Sequence, residues 1–302
     1  MGAFLQERLE LVDNLTFVGG LRYDYVGFEV RDDYLDDGDT SGDRDFDQVT
    51  ARAGLSYALA PEITPFVNIA QSFETPTLSE LVLSSDSQAA LDPDLSPQRA
   101  LATELGARGE IDGNRFRYEA TAFVIELEDE LLPAEDASGR NFYTNAGKSR
   151  RVGAELWASV RIIPALELTA SYSWLRSTFE NGEYAGNPTP GLPEHRVFAK
   201  ARYDDGMIFA GVDVEWVAER WANNEATAKA PAHTLASARG GVRVPLGSEL
   251  TGEIGVGLRN LFDVRYAENV RINAFGSRYF EPGPPLSIYG TFRLIFEPLS
   301  DR

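Results

Sequence analysis

Apolar and polar residues alternate with a period of two along most of this sequence, in segments longer than an ordinary strand. From 286 onward, Leu286, Ile288, Gly290, Phe292, Leu294 and Phe296 share one face, and Ser287, Tyr289, Thr291 and Arg293 the other. Val49, Ala51, Ala53, Leu55 and Tyr57 alternate in the same way with Gln48, Thr50, Arg52 and Ser56. So do Phe116, Tyr118, Ala120, Ala122 and Val124 with Arg115, Arg117, Glu119 and Thr121, and Leu166 to Trp174 with Glu167 to Ser173. A period of two sends successive side chains to opposite faces of a pleated strand. No comparable helical period appears, so the fold class is all-β.

The pattern predicts thirteen strands, near 3–12, 15–30, 47–59, 63–73, 99–111, 114–127, 143–162, 166–178, 194–204, 207–219, 233–245, 251–266 and 285–296. Their connections take turns. Tight ones fall at 13–14, 60–62, 112–114, 164–166, 204–206 and 245–249, and long ones at 31–46, 74–98, 128–142, 179–193, 220–232 and 267–284. Asp-Gly pairs suit the short set. Short turns on one rim and long loops on the other are the mark of an antiparallel up-and-down transmembrane β-barrel. Aromatics near the ends of the apolar faces (Tyr23, Tyr25, Tyr57, Tyr172, Trp174, Tyr203, Trp216) suit interfacial girdles. A soluble β-sandwich also alternates, but its strands centre on about five to six residues. No domain boundary interrupts 1–302, which is read as one barrel-type domain.

Charge and composition remove several function classes. Lys and Arg number 28 against 47 Asp and Glu, a net charge of -19, which disfavours nucleic acid as a partner. There are no cysteines, hence no disulfides, thiolate metal sites or cysteine nucleophiles. No window reaches the roughly 18 apolar residues of a membrane helix, and "MGAFLQERLE" has no signal-peptide pattern.

Enzyme chemistry finds no foothold. The two histidines, His195 and His233, have no nucleophile motif beside them. "GVG" at 255–257 lacks the third glycine and the helix of a dinucleotide site. The chain is read as a non-enzyme without cofactors. In "DDGDTSGDRDFDQ", Asp37, Asp39, Ser41, Asp43 and Asp45 have calcium-loop spacing, with Gly42 at the sixth place. Gln48 stands where a bidentate Glu belongs, so a solvated acidic loop is the competing reading.

Near the C-terminus, "GVGLRNLFDVRYAENV" followed by "SRYFEPGPPLSIYGTFRLIF" resembles the last two strands of the TonB-dependent outer-membrane receptors of the siderophore-receptor type. "GLRYDY", "FVNIAQSFETPTLSEL", "LDPDLSPQRALATELGARG" and "FYTNAGKSRRVGAEL" resemble earlier barrel segments of that family. From the residues themselves, Asn260 and Asp263 are suited to bonding backbone where the strand changes direction, while Leu261 and Phe262 pack.

The resemblance implies a bacterial outer-membrane location and a parent barrel of about 22 strands around a plug. The thirteen strands here would be its last, without plug, coupling box or signal peptide, so a fragment or truncated product is expected. Implied partners are outer-membrane lipid, an iron-siderophore-like ligand, a TonB-type inner-membrane energy coupler acting through the plug, and the barrel-insertion machinery. That machinery reads a terminal aromatic, whereas this chain continues past Phe296 with "EPLSDR". Ligands in the family are gripped by aromatics and cations of the outer loops, which implies Arg140, Phe142, Tyr184, Arg220, Trp221, Arg271, Arg278, Tyr279 and Phe280. The implied function is uptake of a ferric siderophore or similar metal chelate. A passive porin or adhesion-type barrel, or a soluble β-rich binding module, is the alternative.

Overall fold

The structure, a computed structural model, describes residues 1–33, 36, 41–82, 91–135, 141–145 and 147–296. In chain order the elements are β1 (Gly2–Val12), β2 (Leu15–Val30), β3 (Gly42–Tyr57), β4 (Thr64–Glu74), the one-turn helix α1 (Leu78–Val82), β5 (Gln98–Ile111) and β6 (Phe116–Glu128). The hairpin β7 (Leu131–Glu135) and β8 (Asn141–Asn145) follows, then β9 (Lys148–Ile163), β10 (Leu166–Phe179), β11 (His195–Asp204) and β12 (Ile208–Val217). Next come β13 (Arg220–Trp221), β14 (Lys229–Ala230), β15 (His233–Pro245), β16 (Leu250–Arg259), β17 (Ala267–Val270), β18 (Phe280–Pro282) and β19 (Ser287–Phe296).

Thirteen of these strands make one antiparallel sheet in the order β1-β2-β3-β4-β5-β6-β9-β10-β11-β12-β15-β16-β19. The three remaining pairs, β7-β8, β13-β14 and β17-β18, are small hairpins inside the long connections. The tight turns force every other pairing into a hairpin, and the long connections return each strand beside its predecessor, so the meander has no crossovers. Two of the tight turns contain Asx residues in the left-handed region, at Asn14 and at Asp112 and Asn114 (φ 67°, 54° and 69°), a conformation these side chains tolerate.

The register gives the sheet two unlike faces. One carries Val197 beside Trp216, Ala199 beside Val214, Ile254 beside Phe292 and Leu258 beside Ile288. The other carries Lys200 beside Asp213 and Glu253 beside Arg293. Ile254 and Val256 are 58% and 57% exposed although β16 has a partner on each side. Apolar surface on this scale is uncommon on a soluble protein and matches a lipid-facing wall. Tyr57 and Tyr203 mark the turn end of that wall, and Tyr23, Tyr172, Trp174 and Trp216 lie toward its loop end. Strands of 10 to 16 residues suffice for a tilted crossing, which takes about 9–11. β1 and β19 are the two edges of the sheet.

A conventional core is replaced by a small cluster at the loop end of the inner face. Phe46, Leu81, Leu91 and Leu95 are buried there against Phe28 and Tyr143. The Arg44 guanidinium donates to the Pro93 and Leu95 carbonyls at 2.6 and 2.7 Å, fastening the β4-β5 connection over β2 and β3.

The structure corrects three boundaries. The strand predicted over 251–266 ends at Arg259, because Asn260 and Asp263 turn the backbone into the left-handed region (φ 49° and 50°). The strand predicted from 143 begins at Lys148, residues 141–145 belonging to a separate hairpin. β3 begins at Gly42 rather than 47, so Asp43 and Asp45 lie in strand, opposite Glu29 and Gly27. An extended strand does not curl around an ion as a calcium loop must. Ser41 Oγ accepts from the Asp32 amide at 2.9 Å, while Asp37 and Asp39 lie outside the described residues. Among the described residues no three acidic or histidine side chains are grouped to hold a metal.

Candidate functional site

The loop rim is where the chain departs from regular pairing, and asparagine amides hold it together. Asn260, buried at the end of β16, donates from Nδ2 to the Val264 and Pro284 carbonyls (2.9 and 3.0 Å) and accepts the Val264 amide at 2.8 Å. Asp263 Oδ1 accepts from Leu286 N at 2.9 Å. The two residues thus clamp both ends of the β16-β19 connection. Leu261 is half-buried, whereas Phe262 is 70% exposed and does not pack as the sequence suggested.

Asn273 ties three connections into one. Its Nδ2 donates to the Pro133 carbonyl in the β7-β8 hairpin (3.1 Å), its Oδ1 accepts the Asn224 amide (2.9 Å), and its own amide donates to the Ala222 carbonyl (3.0 Å). Asn187 extends the lacing to the β10-β11 connection by donating to the Asn224 carbonyl at 2.9 Å. Gly191 donates to the Trp221 carbonyl at 2.8 Å. It also packs on Ile272, where a Cβ would approach to 3.0 Å at a φ of +83°. Asn223, Asn224, Thr189 and Ala274 are buried in this lacing. Isolated loop asparagines carry no periodic signal, so the sequence did not single them out.

The predicted ligand residues divide into groups. Arg220 and Trp221 form β13; Arg220 Nη2 donates to the Ala267 and Glu268 carbonyls at 2.9 and 3.0 Å, and Trp221 lies under the Lys229 ammonium at 4.0 Å. Burial, and then nearby Arg196, pulls the Arg220 guanidinium below its ordinary value. Arg271, Arg278, Tyr279 and Phe280 share the β17-β18 hairpin that Arg220 contacts. Arg278 donates to the Phe275 carbonyl at 3.1 Å, and Tyr279 and Phe280 meet edge-on at 5.9 Å. Tyr184, in the β10-β11 connection, packs against Phe179 at 6.0 Å. Burial first, then Glu225 and Glu183, raises its phenol above the ordinary value. Phe142 sits apart on β8, opposite Ala134, and Arg140 lies outside the described residues. Arg220 and Trp221 therefore lie on one hairpin and Arg271, Arg278, Tyr279 and Phe280 on another, the two touching where Arg220 meets Ala267 and Glu268.

The inner wall below is ionic. Arg243 grips Asp204 with both terminal nitrogens (2.6 and 3.2 Å) and Glu253 with Nε (2.8 Å). Arg202 joins Asp204 at 3.0 Å, and Arg196 pairs with Glu215.

An antiparallel meander with an apolar outer face, an ionic inner face, short turns at one rim and laced loops at the other is barrel wall of the outer-membrane type. The chain belongs to the TonB dependent receptor-like β-barrel family, whose profile matches residues 1–261. It is 27% identical over 261 residues to the catecholate siderophore receptor Fiu of Escherichia coli O6:H1, covering 82% of this chain and 33% of that protein. To the metal-pseudopaline receptor CntO of Pseudomonas aeruginosa it is 24% identical over 299 residues, covering 95% and 40%. Among solved structures, the copper transporter OprC superposes with a TM-score of 0.79 at 20% identity, over 98% of this chain and 47% of that one. The Acinetobacter baumannii siderophore receptor PiuA gives 0.78 at 18%, over 97% and 42%. These two likenesses are of fold. The chain spans about a third of the length of Fiu. The related barrels are transport receptors of the bacterial outer membrane, and this chain is assigned to that membrane.

Proposed function

We propose that residues 1–302 form one barrel domain, the C-terminal wall of a TonB-dependent receptor that takes up a ferric siderophore or a similar metal chelate. The observation that carries this reading is the loop rim, where Arg220, Trp221, Arg271, Arg278, Tyr279 and Phe280 converge on two hairpins in contact. Cations with planar aromatics suit an anionic, aromatic-bearing chelate. The printed functions of Fiu and CntO lend support.

Ligand is captured at the rim, and the wall completes a barrel of about 22 strands with further strands and a plug. A TonB-type coupler acts through that plug, and the barrel-insertion machinery engages the closing strand near Phe296. No covalent step and no cofactor is involved. The test is accumulation of radioactive iron, supplied as a chelate, by cells without their own ferric-chelate receptors that express the gene. Uptake that requires an energised inner membrane supports the reading. Protein that reaches the outer membrane folded, yet accumulates no more iron than the empty vector across a panel of chelates, contradicts it and favours a passive barrel.

A further inference from the structure

The inner wall between β11 and β19 has a recess of about 400 Å³, lined by Lys200, Arg239 and Arg259 and bounded on the loop side by Tyr266 and Pro284. That volume is in the range of small-molecule sites, roughly 300–1,000 Å³. Arg196, Arg202, Arg243 and Arg293 on the same wall each have a carboxylate within ion-pair distance. Among the described residues, Lys200, Arg239 and Arg259 have none, and none of the three side chains donates a hydrogen bond. The two carboxylates of the recess, Asp213 and Glu268, leave it with a surplus of positive charge, on a chain whose net charge is -19.

One of the cations is held ready by packing. The Tyr289 ring lies over Gly257, where a Cβ would come within 2.3 Å of the ring, and the Arg259 guanidinium sits over that ring at 5.2 Å. Stacking orients a guanidinium without consuming its donors, so its fork stays free for a planar oxyanion. Arg239 and Lys200 add donors from two further strands. Against a low-dielectric wall their attraction for an anion exceeds that of open surface cations.

We propose that this recess binds the carboxylate groups of a small oxygen-rich anion, at a point deeper than the loop-rim residues. Its place on an uptake path rests on the function proposed above; its affinity for carboxylates does not. The experiment is calorimetric titration of citrate, at low ionic strength, into the chain in detergent micelles. Arg239→Gln and Arg259→Gln should each weaken binding about tenfold, and Lys200→Arg should keep it. Arg117→Gln is the control: it removes the same charge from the inner wall, where Arg117 faces Glu167 at 3.6 Å, and should leave binding unchanged. Heat-modifiable gel mobility reports folding, and either glutamine variant suffices if the other misfolds.

The proposal is overturned if citrate does not bind, if Arg239→Gln and Arg259→Gln bind it as the parent does, or if Arg117→Gln weakens it equally, which would mean diffuse wall charge. Inorganic phosphate competing as well as citrate would overturn the carboxylate assignment. Failure here is distinct from failure of the uptake reading. Cells that import chelate through a protein blind to citrate sink the recess alone, and citrate binding without import sinks the uptake reading alone.

Discussion

The two rims of the sheet are built by opposite means. At the turn rim acidic side chains close their own turns, Asp205 Oδ1 accepting the Met207 and Ile208 amides at 2.9 and 2.7 Å and Asp204 Oδ1 the Gly206 amide at 3.1 Å, and longer contacts such as Tyr118 Oη to the Glu62 carbonyl (2.9 Å) reach the neighbouring hairpin. At the loop rim, Asn260 bridges 24 residues to Pro284 and Asn273 bridges 140 to Pro133. The turn rim is thus a row of hairpins joined to their neighbours, as by Arg243 on Asp204, whereas the loop rim ties together connections that are far apart in the chain. The amide suits the second task because it donates and accepts at once, and tolerates positive φ. Such lacing holds residues from distant loops in a fixed arrangement.

The largest effect is expected from Asn260→Ala. It removes three hydrogen bonds made by a residue 5% exposed and forces alanine to a φ of 49°. The expected cost is about 3 kcal/mol, read by urea unfolding in micelles. Asn260→Gly should recover roughly 1 kcal/mol, the backbone share. Equal losses in the two variants would mean that the amide alone matters. Next comes Asn273→Ala, which loses two side-chain bonds at a φ of 56° and should cost about 2 kcal/mol, mostly as local opening. Hydrogen exchange should quicken in 131–135 and 220–232 together while the thirteen-stranded sheet stays protected. Exchange confined to 267–284 would show the loops to be independent.

This contrast also explains what the sequence revealed. All thirteen sheet strands were legible, because a wall between two unlike media writes its period into every residue. Turn-rim boundaries were close for the same reason: Asp13-Asn14 and Asp112-Gly113 act locally. Errors gathered at the other rim. The strand read through to 266 overran the turn at Asn260, whose backbone bonds the sequence had suggested, and the hairpins β13-β14 and β17-β18 are too short to display a period. Asn187 and Asn273, whose roles lie in partners far along the chain, gave no signal at all. Aromatics and cations could be named as rim residues, but the contact between the two hairpins that carry most of them, made by Arg220, could not. The recess of Lys200, Arg239 and Arg259 was hidden too, since an unpaired cation reads the same in sequence as a paired one.

The smallest effect belongs to the turn rim and tests its independence. The amides of Ile208 and Met207, with the Tyr203 hydroxyl, hold the Asp205 carboxylate below its ordinary value. A depressed folded-state value means that the contribution is present above the unfolded carboxylate value near pH 4, and is lost as pH falls through the depressed value. Asp205→Asn keeps an acceptor but removes the charge. Exchange at Met207 and Ile208 should therefore quicken near neutral pH, and variant and parent should converge as the pH falls through the depressed value. Global unfolding and the loop rim should not respond, because every bond involved lies within 203–208. If the change also loosened 220–232, the two rims would be coupled through β12, and the turn could not be an independent unit.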